Sequence, residues 1–240
     1  MASKPAAVFT GFTPECLQFL RDLAANNERA WFLANKPVYE RAVLAPLRLL
    51  LAEVIAALAA REIPLTGDPA KAIFRIHRDV RFSHDKLPYK THAGAVLTRD
   101  GSKSMLGLLY LHIAPEGCFL ASGFYHPERE QLAALREAIY TEPQRFAAMQ
   151  AELAGAKLAL GTEESLTRLP RGFEEATDPA VIAALKLKSL VVRRDLATAA
   201  LAGRKLIDQI IAFAEAAQPL LQFGWSALSV LDPTDLKRQR

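Results

Sequence analysis

Residues 74–82 read FRIHRDVRF, an alternation that puts Phe74, Ile76, Val80 and Phe82 on one side of an extended chain and Arg75, His77, Asp79 and Arg81 on the other. A period of two residues predicts a strand. Beyond the turn residues from Ser83 to Pro88, a second strand is expected over residues 90–97. A hairpin loop containing Asp100 and Gly101 follows, then two more strands over 105–113 and 118–125, joined by Ala114-Pro115-Glu116-Gly117. Four strands with connections this short predict an antiparallel meander.

Helical spacing brackets this central region. On the N-terminal side, Thr13-Pro14 is a cap followed by an N1 proline, and Leu17, Leu20, Leu23 and Ala24 then recur on one face. Asn26 and Asn27 end that helix, and Trp31 and Phe32 anchor the next. Pro37 opens a third helical region carrying Tyr39, Val43, Leu47, Leu50, Val54, Ile55 and Leu58. Pro46 has no amide hydrogen, so it is expected to kink that helix or start a new one. On the C-terminal side, helices are expected after Pro127, after Thr141-Glu142-Pro143 and after Asp178-Pro179, with a long last helix over about residues 201–221. Short strands are expected at 157–160, 165–168 and 189–194. No internal repeat or low-complexity linker divides the chain. The pattern therefore predicts one α+β domain over residues 1–240, a central antiparallel meander packed by N-terminal and C-terminal helices.

Charge is concentrated in the same place. Between Lys71 and His92 lie six basic residues (Lys71, Arg75, Arg78, Arg81, Lys86, Lys90) and two acidic ones (Asp79, Asp85), an excess equal to the +4 of the whole 240-residue chain. The rest of the sequence is balanced. Three of the five histidines, His77, His84 and His92, also fall here. Cys16 and Cys118 show neither CxxC nor zinc-ligand spacing, which argues against a disulfide framework and a structural metal and for a reducing, cytoplasmic setting. The N-terminal residues lack the continuous apolar core of a signal peptide. The apolar run at 43–60 is broken by Pro46, Arg48 and Glu53, so it is read as a buried amphipathic helix with no membrane role.

The polar side of the 74–82 segment is the candidate site. Groups two residues apart stand about 7 Å from one another, a spacing that lets several cations face one multiply charged anion. Arg75 and Arg81 supply planar donor forks suited to phosphate or carboxylate. Lys86 and Lys90 are expected to close over the same ligand, with Tyr89 adding a hydroxyl or a stacking face. His77 and Asp79, beside these arginines, are the candidates for general acid–base work, because neighbouring cations favour a carboxylate and a neutral imidazole. Arg78 falls on the apolar side, where an unpaired charge is costly, so it is expected to reach a carboxylate, a chain end or a bound anion. The His77-Arg78-Asp79 tripeptide is not a kinase catalytic loop: His84 stands where asparagine is required, and no glycine-rich loop, VAIK lysine or DFG occurs. A metal site from His77, Asp79, His84, Asp85 and His92 lacks a fixed third ligand and is not predicted. Neither cysteine has a basic neighbour that would mark it as a nucleophile.

The chain resembles domain-of-unknown-function family 2461, conserved hypothetical proteins of bacteria and fungi. The resemblance rests on Phe9-Thr10-Gly11-Phe12, Asn26-Asn27 with Trp31-Phe32 and Tyr39, and the block FRIHRDVRFSHDKLPYKTH. It continues through Gly123 with Pro127, Arg136 before Ile139, and Leu169-Pro170-Arg171-Gly172-Phe173. It implies a single domain and draws attention to the basic block, and it brings no activity and no cofactor with it.

Three readings follow. The first is a soluble protein that binds a phosphate-bearing or other anionic small molecule through the basic block and acts on it as an enzyme or simply holds it. The second is a nucleic-acid or acidic-partner binding module, which would spread its charge over a broad footprint. The third is a structural charge network with no ligand. Balanced charge outside the block favours a compact ligand.

Overall fold

The computed structural model describes residues 7–81 and 84–231. The expected Phe82 and Ser83 positions lie outside the described residues. Helices come first: α1 (Pro14–Ala25), α2 (Arg29–Val38) and α3 (Ala45–Ala59). Three strands follow, β1 (Ala93–Thr98), β2 (Leu106–Ile113) and β3 (Cys118–Phe124). Then come α4 (Arg129–Thr141), α5 (Pro143–Gly155), α6 (Pro179–Leu185), β4 (Leu190–Leu196) and α7 (Lys205–Leu228). The strands form one antiparallel sheet in the order β1-β2-β3-β4, with helices before and after it in the chain, an α+β fold.

The fourth strand of the meander is Leu190–Leu196, and residues 74–81 form no regular strand. Residues 73–77 pair through single bridges, Ile73 with Ala95 and His77 with Tyr89. The expected segments at 157–160 and 165–168 behave likewise, through Leu160–Val192 and Ser165–Leu187 bridges.

Chain punctuation follows from the prolines and caps. Pro14, Pro143 and Pro179 each occupy the first turn of a helix, where the missing amide hydrogen would find no intrahelical acceptor. Asp178 accepts from Ala180 N at 2.7 Å, and Glu128 and Gln131 close a reciprocal capping box on α4. Between α2 and α3 the helix widens into a π turn over Tyr39–Leu44, with Ala45 N donating to Glu40 O. Pro46 accounts for this: an ordinary helix would press its ring on the carbonyl four residues back, and the wider turn relieves that contact. By length and composition the run Arg29–Ala59 could cross a membrane; in the fold, Val43, Leu47, Leu50, Val54 and Leu58 are fully buried.

The chain groups into two compact units. One draws on Met1–Ser102, Tyr110–Leu120 and Asp195–Ala212, the other on Lys103–Leu109, Ala121–Arg194 and Phe213–Arg240. The first is tied at its start by Glu53, which accepts from Phe9 N at 2.6 Å, and by Arg204, which bonds both Phe9 O and Glu53 at 2.6 Å. An aromatic group, Phe19, Phe32, Tyr39 and Tyr89, fills its helical part. In the second unit Phe124, Phe146, Leu185 and Phe213 are fully buried.

Candidate functional site

The alternation read in residues 74–81 is present: Arg75, His77, Asp79 and Arg81 are exposed, Ile76 is buried, and Phe74, Arg78 and Val80 are half-buried. Arg78 pairs with Asp85, so the arginine on the apolar side has found a carboxylate. Arg81 forks onto Asp79, its Nε and Nη2 at 3.0 and 2.7 Å from the two carboxylate oxygens. That fork, helped by Arg75, holds the Asp79 carboxyl down at about 2. Lys86 turns back to the Val80 carbonyl at 3.0 Å. The block's two acids are thus paired with Arg78 and Arg81.

Pairing divides the expected clamp between two sides. Lys90 N donates to Ile76 O at 2.7 Å and Arg78 N to Pro88 O at 2.9 Å, which sets residues 76 and 90, 77 and 89, and 78 and 88 opposite one another. Directly opposed residues of an antiparallel pair project to the same side. Tyr89 therefore sits with His77, their rings 5.1 Å apart, on the side of Arg75. Lys90 goes to the other side, with its Nζ 5.3 Å from the centre of the Phe74 ring. Tyr89 itself is buried, stacked on Phe32 at 4.3 Å. The Asn27 side chain holds its backbone like an added strand, accepting from Tyr89 N at 3.0 Å and donating to Tyr89 O at 2.9 Å.

A bulge then creates a second grouping. Tyr89 answers His77 and Ala95 answers Ile73, so six steps along one segment face four along the other. The two surplus residues fall where the chain bends at Thr91 and His92. Surplus residues interrupt a ladder and re-aim side chains, which explains why residues 74–81 make bridges and no regular strand. The side chain re-aimed is that of His92, whose ring lies 4.5 Å from that of His112 on β2. His112 stacks on Phe119 of β3 at 4.5 Å, and its Nδ1 is 3.0 Å from Tyr110 Oη. Tyr110 stands edge-on to Phe74 at 6.1 Å. Gly94 makes room for it: a Cβ there would stand 2.6 Å from Tyr110 Oη. Lys90, His92, Tyr110 and His112, lined by Phe74 and Phe119, are all half-buried.

Burial, and then the Lys90 charge, hold the His92 imidazole below its ordinary value of 6.5, against a smaller opposite pull from Glu116. His92 is therefore a neutral ring near pH 7, able to accept a proton. Between the lowered folded value and 6.5 the unfolded chain binds more protons than the folded one, so stability rises with pH across that window and is lost as pH falls through the folded value. Urea unfolding from pH 4.5 to 8 is expected to record this gain, with a smaller slope below 6.5 in His92→Gln. An unaltered slope in the variant would contradict the assignment.

The two thiols are inert by the same reasoning: burial pushes Cys16 up to about 12 and raises Cys118. Among the described residues no cluster of three or more His, Cys, Asp or Glu side chains is arranged for a metal ion. His84 is exposed and makes no part of the His92 grouping. Tyr110 and His112 are the site residues that sequence reasoning missed; the available signal was two polar aromatic residues, two apart, on the same side of a predicted strand.

A family model described as "Conserved hypothetical protein (DUF2461)" matches residues 15–223. No curated protein and no solved structure matches.

Proposed function

Because the chain belongs to the DUF2461 family of conserved hypothetical proteins, a description that names no reaction, we propose a function from its own side chains: it binds a phosphate-bearing or other anionic small molecule at the Lys90–His92 grouping. The observation that carries this reading is the bulge that turns His92 onto His112 beside Lys90. Lys90 supplies a point charge for an oxyanion. Neutral His92 supplies an acceptor for a hydroxyl or amine proton of the same ligand. Tyr110 fixes His112 through the Oη–Nδ1 contact, and the Phe74, Tyr110 and Phe119 rings offer an apolar seat for a planar or hydrocarbon portion. A ligand whose proton sits near His92 would make this a general-base site, the enzymatic form of the proposal.

A nucleic-acid reading draws on the opposite side of the segment, where Arg75 and Arg81 are exposed. It is less well supported, because Arg81 is already forked onto Asp79.

Isothermal titration with inorganic phosphate, a sugar phosphate and a nucleoside monophosphate separates these readings. Lys90→Met is expected to weaken the best binder about tenfold or more, the loss of one charge-assisted contact. Arg75→Met should change it by no more than about twofold, as for a remote surface charge. Equal affinity in Lys90→Met, or loss in Arg75→Met alone, would overturn the Lys90 site.

A further inference from the structure

The rings beside Lys90 stand in a definite order on one face of the sheet. His92, His112 and Phe119, all half-buried, follow one another at centroid steps of 4.5 Å, with interplanar angles of 32° and 16°. That step is close to the spacing of neighbouring strands, so the rings make one row from the start of β1 across β2 to β3. Rings this close and this nearly parallel cannot lie flat on the sheet. They stand face to face, with their edges pointing outward. Tyr110, two residues before His112 on the same side of β2, lies over Gly94 and 5.9 Å from both His112 and Phe119.

Ring edges carry the positive part of the aromatic quadrupole and attract the electron-rich face of a planar group laid across them. Half-exposed aromatic side chains on a sheet are also a common seat for an unstacked nucleic-acid base. A purely hydrocarbon group fits less well. It would cover the ring nitrogens of His92 and His112 and the Tyr110 hydroxyl without offering them a hydrogen bond. A sugar phosphate alone would leave the Phe119 end of the row unused. Charge limits the anionic part: Lys90 supplies one cation, and Glu116 is near enough to His92 to act on it electrostatically, which favours a single phosphate over a chain of them.

We propose that the ligand of this site is a nucleoside monophosphate, with its phosphate at Lys90 and its base laid over the His92–His112–Phe119 row. The inference rests on the anion reading of the Lys90–His92 grouping and narrows it to one ligand class.

Isothermal titration of the whole protein at pH 7 with ribose 5-phosphate, adenosine 5′-monophosphate and an adenylate trinucleotide tests this. The mononucleotide is expected to bind at least about tenfold tighter than ribose 5-phosphate, the increment of one stacked base. Phe119→Leu, which removes the ring and keeps an apolar side chain, should erase most of that difference and leave ribose 5-phosphate within about twofold of its wild-type affinity. Should this variant fail to fold, the wild-type comparison of the two ligands decides. Equal affinities for the two, both weakened by Lys90→Met, would overturn the base seat while keeping the anion site. Binding of none of the three would overturn the anion site and this inference with it. A trinucleotide that bound more than about tenfold tighter than the mononucleotide would assign the row to single-stranded nucleic acid and overturn the mononucleotide class.

Discussion

Gly123→Ala is expected to destabilise the protein by at least about 3 kcal/mol, the sum of a backbone penalty and a steric one. Gly123 on β3 has φ +133, a conformation that side-chain-bearing residues rarely adopt. A Cβ at that position would also overlap the carbonyl oxygen of Leu190 on β4. The obstacle is backbone, so no rotamer change relieves it, and β3 and β4 must separate or the strand must rotate. Urea unfolding checks the size of the loss, and hydrogen exchange should place the earliest opening at Leu190–Leu196. A change below about 1 kcal/mol, the scale of an ordinary surface substitution, would mean that the close approach of β3 and β4 is wrong.

Phe32→Ala is expected to cost about 3–5 kcal/mol, the usual range for truncating a buried phenylalanine. The Phe32 ring is only 4% exposed. It stacks on Tyr89 at 4.3 Å and meets Tyr39 at 5.6 Å, His77 at 5.9 Å and Phe19 at 6.5 Å. Its loss removes the seat of Tyr89, whose backbone begins the segment that carries Lys90 and His92. Two effects should therefore appear together: lower stability in urea and weaker anion binding at conditions where the variant remains folded. Phe32→Leu keeps an apolar side chain in the gap and should recover most of both. Reduced stability with full anion affinity would show that the Tyr89 anchor does not position the site.

The alternation at 74–81 was legible because exposure follows the period of two residue by residue. Arg78 was legible too, since a charge out of phase with its neighbours needs a partner, and Asp85 is that partner. The bulge was not. Thr91 and His92 carry no glycine, proline or asparagine signal, and surplus residues are defined only by the pairing of 77 with 89 and 73 with 95. Without the bulge, Lys90 and Tyr89 look like members of one group, whereas pairing sends them to opposite sides. Tyr110 and His112 were read only as strand residues, because their meeting with His92 depends on which strands pair. The helix starts at Pro14, Pro143 and Pro179 were legible through those prolines, whereas Pro37, expected to open a third helix, lies inside α2, and the chain runs on through the π turn into α3.

Five histidines distribute themselves across the molecule in a way that makes one measurement decisive. His92 and His112 belong to the proposed site, His77 lies against Tyr89 and Phe32, His84 is exposed, and His126 pairs with Glu164 at 2.9 Å. The imidazole ¹H–¹³C resonances of the whole protein, followed at pH 7 while a nucleoside monophosphate or inorganic phosphate is added, report on all five at once. Saturable shifts of His92 and His112 with one common midpoint are expected, with little movement of His77, His84 and His126. Shifts confined to His77, or five resonances that remain still at saturating ligand, would contradict it.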